Sequence, residues 1–323
     1  MGFDFLVLLQ QELSVLLIIV FLLLIKLGSD QPNERVLLAA NILLLANCIA
    51  GFLMHAEGRL FGDMFFTNKL FIFEKNILNF ATLLVSMLSY DWLKGHKHIL
   101  EFYMLLLSTL LGMFFMISSN NLLMFYLGLE LSTIPLAALA NFDLGKRQSS
   151  EAALKFIISA AFSSGLLLMG ISLVYGTTGT LDFREIAGDP GHSSLEYFAF
   201  ILLLSGFFFK VSSVPFHLWT ADVYEGSPVA VTAYLSVVSK GAIYFVLIQV
   251  LGGVFRQYDA LASSILMLLA VLSMVIGNLF ALRQQNIKRF LAFSSISQGG
   301  FILIGLLGSA YYFSAPVVYF ILV

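Results

Sequence analysis

The sequence has 323 residues, 59% of them hydrophobic and 11% charged, with a formal net charge of −2 and a mean hydropathy of +0.94. A soluble domain carries about 25% charged residues, so this composition excludes a water-soluble globular protein, and the near-neutral balance gives no reason to expect a nucleic-acid partner. The single cysteine, Cys48, lies in an apolar run and excludes a disulfide framework or a thiolate metal cluster.

One crossing of a lipid bilayer needs about 20 apolar residues. Runs of that length recur along the whole chain and predict an all-α, polytopic membrane protein. The ten predicted helices cover residues 5–27, 36–54, 70–90, 99–118, 121–142, 149–175, 195–219, 229–251, 260–282 and 288–308. An eleventh begins near Pro316 and stops at Val323, so the chain is expected to be truncated at its C-terminus. The first run lacks a basic flank and a small-residue cleavage site and reads as a retained span. No polar stretch is long enough for a soluble domain.

The positive-inside rule sets the orientation. Loops after odd-numbered helices hold nine basic residues: Lys26, Arg35, Lys94, Lys97, Lys146, Arg147, Arg283, Lys288 and Arg289. Loops after even-numbered helices hold four: Arg59, Lys69, Arg184 and Arg256. The odd loops are therefore expected in the cytoplasm and the N-terminus outside. Lys94, His96, Lys97 and His98 read as a solvated loop without metal-ligand spacing.

Of the 17 basic residues, Lys75, Lys155, Lys210 and Lys240 remain, all inside predicted helices, as are Glu74 and Glu130. A charge at a helix centre costs about 2.5–3.5 kcal/mol on insertion scales and usually marks an ion pathway. Glu130 sits about ten residues into the fifth helix, and Pro135 is expected to bend that helix just beyond it. Glu151, Lys155, Ser159 and Ser163 form a polar stripe with a four-residue period on the sixth helix, and Thr232, Ser236, Lys240 and Tyr244 form another on the eighth. Such hydroxyls can hold water beside an amine, or they can serve tight helix packing. Lys155, near a helix end, and Lys75, beside Glu74, also read as snorkelling side chains. Lys240 lies about 16 Å from its helix end at 1.5 Å rise per residue, near mid-depth of a roughly 30 Å core.

The stretch "FFFKVSSVPFHLWTADVYEG" places Lys210 five residues before Pro215. Proline cannot donate to the carbonyl of Val211, so the seventh helix is expected to break between Lys210 and Pro215. Broken helices are tolerated at membrane depth where they line a watery cavity. His217, just past the break, has an unperturbed pKa of about 6.5 and can pass a proton at neutral pH, or it is an interface residue beside Trp219. A carboxylate approaching Lys210, such as Glu130, would switch that amine between holding and releasing a proton. There is no Gly-rich dinucleotide loop, no P-loop and no histidine pair for haem.

"YLGLELSTIPLAALA", "SSEAALKFIISAAFSSGLLLMGISLVYGTTGTLDF", "FKVSSVPFHLWTADVYEGSPVAVTAYLSVVSK" and "NLFALRQQNIKRFLAFSSISQGGFILIGL", in this order, resemble the antiporter-like membrane subunits of the respiratory NADH–quinone oxidoreductase (complex I), and among these the N type. The resemblance covers about residues 100–308; residues 1–99 match in character only. It implies an inverted pair of five-helix repeats, each with a broken helix: three N-terminal helices in 1–99, a first repeat in 100–252, and the incomplete start of a second in 253–323. Carried over by motif, it implies a proton path through Glu130, Lys155, Lys210, His217 and Lys240. It also implies that no cofactor binds this chain, with NADH, FMN, iron–sulfur clusters and quinone on partner subunits. The partners implied are other membrane-arm subunits, both antiporter-like and small helical ones, in the lipid bilayer of a bacterial inner membrane. The alternatives are a subunit of a multi-subunit Na⁺/H⁺ antiporter, the membrane arm of a membrane-bound hydrogenase, or a purely structural membrane subunit.

Overall fold

The computed structural model describes residues 2–28, 31–53, 56–189, 191 and 193–309. Among these residues ten helices are long and apolar enough to cross a membrane. They are α1 (Gln10–Leu27), α2 (Asn33–Leu53), α3 (Lys69–Leu88), α4 (Ile99–Ile117), α5 (Leu122–Ala140), α6 (Arg147–Thr178), α7a (Ser194–Val211), α8 (Val229–Val254), α9 (Asp259–Ala281) and α10 (Ile287–Ser309). A shorter helix, α7b (Leu218–Gly226), follows the break after α7a. The first predicted helix, 5–27, is two pieces, Gly2–Leu8 and α1. α6 has 32 residues, about 48 Å, and outruns both its predicted bounds and the hydrocarbon core. α5 continues through Pro135 to Ala140. The expected eleventh helix lies outside the described residues.

Local chemistry sets several helix ends. Asn68 caps α3 and Asn121 caps α5 by accepting from Phe71 and Leu123 backbone N–H groups, satisfying donors left open in a first turn. Ser193 and Glu196 form a reciprocal capping box at the start of α7a. Gly179, at φ 74°, ends α6 in the left-handed conformation that glycine adopts without strain. A short hairpin of β1 (Gly58–Leu60) and β2 (Phe65–Thr67) joins α2 to α3, with Phe65 bridged to Ser119. Its loop is tied by Arg59 to Asp63 at 3.1 Å and by the Asn120 side chain to the Asp63 carbonyl at 3.0 Å.

The chain forms two compact units, Met1–Asp143 with Pro228–Ala242, and Leu144–Ser227 with Ile243–Val323. In the first, α4 packs on α1 and α5, and α2 on α3. In the second, α9 packs on α10, and α6 on α7a and α7b. Helix pairs approach backbone to backbone where glycines remove the side chain. A Cβ on Gly112 of α4 would meet the Ser132 nitrogen of α5 at 2.4 Å, and one on Gly170 of α6 would meet the Leu203 nitrogen of α7a at 2.7 Å. Large apolar side chains such as Leu154, Phe162 and Met267 turn outward, the pattern of a chain solvated by lipid.

These contacts separate two glycines of similar sequence context. Gly112→Ala should cost about 1–3 kcal/mol through overpacking, seen as a lower melting temperature in detergent. Gly165→Ala, where a Cβ meets nothing within 4 Å, should be neutral or gain up to about 1 kcal/mol from helix propensity. Equal melting temperatures for the two variants would contradict the close α4–α5 approach.

Candidate functional site: a broken helix and its buried charges

The expected interruption of the seventh helix is present between α7a and α7b. α7a ends at Val211, and Ser212 adopts the left-handed conformation at φ 62°. The Ser213 N–H donates to the Phe208 carbonyl and the Ser212 N–H to the Phe209 carbonyl, both at 3.0 Å. This paired closure is the turn that satisfies carbonyls at a helix end. A serine at positive φ costs about 1–2 kcal/mol relative to a right-handed residue. The break therefore begins at Ser212, three residues before Pro215, whose peptide bond with Val214 is cis. Beyond it the Val214 N–H donates to Ser273 Oγ of α9 at 3.0 Å, and Trp219 Nε1 donates to the Phe209 carbonyl at 3.2 Å.

Lys210 occupies the last turn of α7a and is half-buried. Carbonyl dipoles converge there and favour a cation. His217 stands at the start of α7b and is buried; neither ring nitrogen has a well-formed hydrogen bond among the described residues, the Pro215 carbonyl being close but poorly aligned. Lys240 is 5% exposed. It follows directly on a widened i→i+5 turn at Leu235–Ser239, a feature frequent at functional sites. The expected water-holding hydroxyls before it bond their own backbone, Thr232 to the Pro228 carbonyl and Ser236 to the Ala233 carbonyl. Glu130 is half-buried on α5. Glu130 and Lys240 belong to the first unit, and Lys155, Lys210 and His217 to the second.

Lys155 proves to be a solvated, paired residue. Its Nζ lies 2.8 Å from Glu151 and 2.6 Å from Asp222 of α7b. Arg289 of α10 lies 2.6 Å from Asp222 and 2.8 Å from Glu225. Lys288 Nζ donates to the Ser227 carbonyl at 2.7 Å, just past the end of α7b. Gln148, Glu151, Lys155, Asp222, Glu225 and Arg289 thus line a polar cavity of about 290 Å³. α7b is held by charge to both α6 and α10. The sequence put Lys155 and Glu151 on one stripe and Arg289 in a loop but did not join them to Asp222; Asp222 and Arg289 are 67 residues apart, and no local period joins them.

Two other sites differ from expectation. Lys75 does not snorkel: it is 1% exposed and donates to Glu12 Oε1 of α1 at 2.5 Å. Its ammonium also lies over the rings of Phe65 and Phe114, at 5.3 and 5.9 Å. Beside this pair, Gln11 Nε2 donates to Asn76 Oδ1 at 2.8 Å. Glu12 went unmarked although it lies inside the predicted span 5–27, because its partner Lys75 is 63 residues away. His96 is not a freely solvated loop residue. It is half-buried, with Trp92 and Phe142 rings at 5.2 and 4.8 Å; burial lowers its pKa against the opposing pull of Asp143 at 3.8 Å.

The chain matches the family model for the membrane region of the NADH:quinone oxidoreductase/Mrp antiporter proteins over residues 119–322. Broken helix and match together define a membrane subunit of antiporter type. NADH-quinone oxidoreductase subunit N of Phocaeicola vulgatus is 46% identical over 97% of this chain and 67% of that protein. The subunit N of Azobacteroides pseudotrichonymphae is 43% identical over 99% of this chain and 68% of that protein. A chain of respiratory complex I from Thermus thermophilus with bound aureothin superposes with a TM-score of 0.78 at 31% identity, covering 92% of this chain and 64% of that one. The chain belongs to the subunit N family of NADH-quinone oxidoreductases, and it spans about two thirds of the length of these relatives.

The Asp222 network gives a measurable coupling. Its side chains are about a third exposed, so each pair should contribute only about 0.2–1 kcal/mol. A double-mutant cycle of Asp222→Asn with Arg289→Gln, read by thermal stability, should return a coupling in that range. Raising the salt should shrink it. A coupling of several kcal/mol, insensitive to salt, would mean the cluster is desolvated in the assembled protein.

Proposed function

We propose that this chain works as a membrane-arm subunit of an NADH-quinone oxidoreductase and carries part of a proton path. Quinone reduction on partner subunits would drive that path. The observation that carries the reading is the helix broken immediately after Lys210, in a chain of the subunit N family. A membrane helix is interrupted at a cost in backbone bonding, and where it occurs the freed groups and neighbouring amine can be hydrated.

In this reading residues 1–99 are three accessory helices, 100–252 the first five-helix repeat, and 253–323 the start of a second. Glu130 is the carboxylate whose charge biases its lysine partner. Lys210 and Lys240 take up and release protons through water, each alternating between ammonium and amine. His217 relays beside the break. Lys155 belongs to the cavity with Asp222 and Arg289, where protons gather from the cytoplasm. The chain performs no redox step: NADH, FMN, iron–sulfur clusters and quinone stay with partner subunits, and the assembly is a translocase. Its partners are the other antiporter-like subunits and the small helical subunits of the arm. The N-terminus faces outward across a bacterial inner membrane, in keeping with the lysine and arginine asymmetry of the loops.

Lys240 tests the reading. It is buried too deep to snorkel, and a relay there requires loss of its proton, which arginine does not permit. In the full-length subunit within its complex, Lys240→Arg should lower NADH-driven quinone reduction and coupled proton uptake by inverted vesicles several-fold, despite keeping the charge. Lys240→Met should lower both at least as far. Wild-type rates and pumping in both variants, with normal assembly, would remove Lys240 from the path and leave helix α8 a structural role.

A further inference from the structure

The three N-terminal helices lie outside the stretch matched by the family model, residues 119–322, yet they contain the most deeply buried ion pair of the chain's described residues. Lys75 and Glu12 have side chains only 1% and 3% exposed. Glu74, the neighbour of Lys75 on α3, is 4% exposed. Two carboxyl groups therefore share one ammonium. Among the described residues Lys75 is the one cation acting on either acid. The elements packed around them bring other chemistry. α1 adds Gln11 and α3 adds Asn76 and Asn79. β2 and α4 bring the Phe65 and Phe114 rings, and the α8 turns that pack against α3, Val229–Tyr234 and Leu235–Ser239, directly precede Lys240.

A buried net charge of −1 is strongly disfavoured where little water can solvate it. A second, independent observation has the same sense. Glu12 Oε2 and Asn79 Oδ1, both shut off from solvent, have no hydrogen-bond donor among the described residues. Asn79 is one helical turn beyond Lys75, on the same face. The cluster has acceptors in excess and is short of one hydrogen. A metal cation would have to approach beside an ammonium that already sits 2.5 Å from Glu12. A proton adds no bulk and converts an orphan acceptor into a donor.

We infer that Glu12, Glu74 and Lys75 form a proton-holding site that keeps one exchangeable proton on a carboxyl group inside the N-terminal helices. The proton comes from hydronium: one carboxylate oxygen gains an O–H bond and a water molecule is released. The site is separate from Lys210, His217 and Lys240, and its occupancy does not depend on turnover of the complex.

Infrared spectra of the complex carrying the full-length subunit, in H₂O and D₂O near neutral pH, test this directly. A protonated carboxyl group has a carbonyl stretch that a carboxylate lacks, and the band shifts on deuteration. The wild-type spectrum minus that of Glu74→Gln should contain one such band, and so should wild type minus Glu12→Gln, because either change leaves one acid balanced by Lys75. Lys75→Met should gain a band, since both acids are then neutral. Loss of the band in neither acid variant, or no gain in Lys75→Met, sinks the inference. Disappearance of the wild-type band on adding sodium at fixed pH would also overturn it and reassign the site to sodium. If Glu74→Gln does not assemble, Glu74→Asp keeps the acid, and its band must move or weaken while remaining deuterium-sensitive; an unchanged spectrum counts against the site.

Discussion

A bilayer core offers no water to an unpaired peptide group, and this chain interrupts a helix there. Everything around α7 answers that constraint. The Ser212 and Ser213 N–H groups fold back onto Phe209 and Phe208, Val214 is capped by Ser273, and Trp219 closes onto the Phe209 carbonyl. The donors are thus satisfied by protein. The Phe208 and Phe209 carbonyls of the last α7a turn are the acceptors, and Lys210 stands in the same turn. A cation at a helix C-terminus and a surplus of acceptors are the same feature seen from two sides. The break leaves Lys210 half-buried in the last turn of α7a.

The lysines within the spans show different ways of keeping a charge in an apolar protein. Lys75 is buried with Glu12 and two aromatic faces. In such a pair, removing one partner typically costs about 3–5 kcal/mol because the other charge stays behind. Lys155 remains wet, shares Asp222 with Arg289, and contributes little to stability. Lys210 is supported by helix carbonyls, and Lys240 by a widened turn in its own helix. The first arrangement fixes a charge, and the second clamps a short helix. The last two place an amine beside an irregularity in its own helix.

The ten spans were legible in the sequence because lipid imposes a length of apolar residues on each one. The break was legible because Pro215 follows a lysine inside such a run. The turn falls within the expected interval, at Ser212, but the residue that makes it was not legible, because a left-handed serine has no sequence signal comparable to glycine. The hairpin at Gly58–Thr67 was hidden by its shortness. The partners of Lys75 and Lys155 were hidden for a different reason. Glu12 and Asp222 lie 63 and 67 residues from their lysines, so the pairings exist only once helices have packed. Depth along a helix can be counted in a sequence. The direction in which a charge faces, and what it meets, depends on close approaches such as Gly112 against Ser132 that no periodicity reveals.

α7b draws these strands together. It is nine residues long, too short to be a stable helix alone, and the break denies it continuity with α7a. Its hold on the second unit comes from three kinds of contact. Trp219 packs between Phe209 and Phe156, Gly226 lies against the α6 backbone at Gln148, and Asp222 and Glu225 reach Lys155 and Arg289. Apolar and backbone contacts fix one place for it, while the charged contacts are solvated and weak. A segment held in this way can shift its charged end at small cost while its aromatic anchor stays put. His217 stands at the start of α7b, next to that aromatic anchor, and the charged cavity lies at the other end of the same short helix.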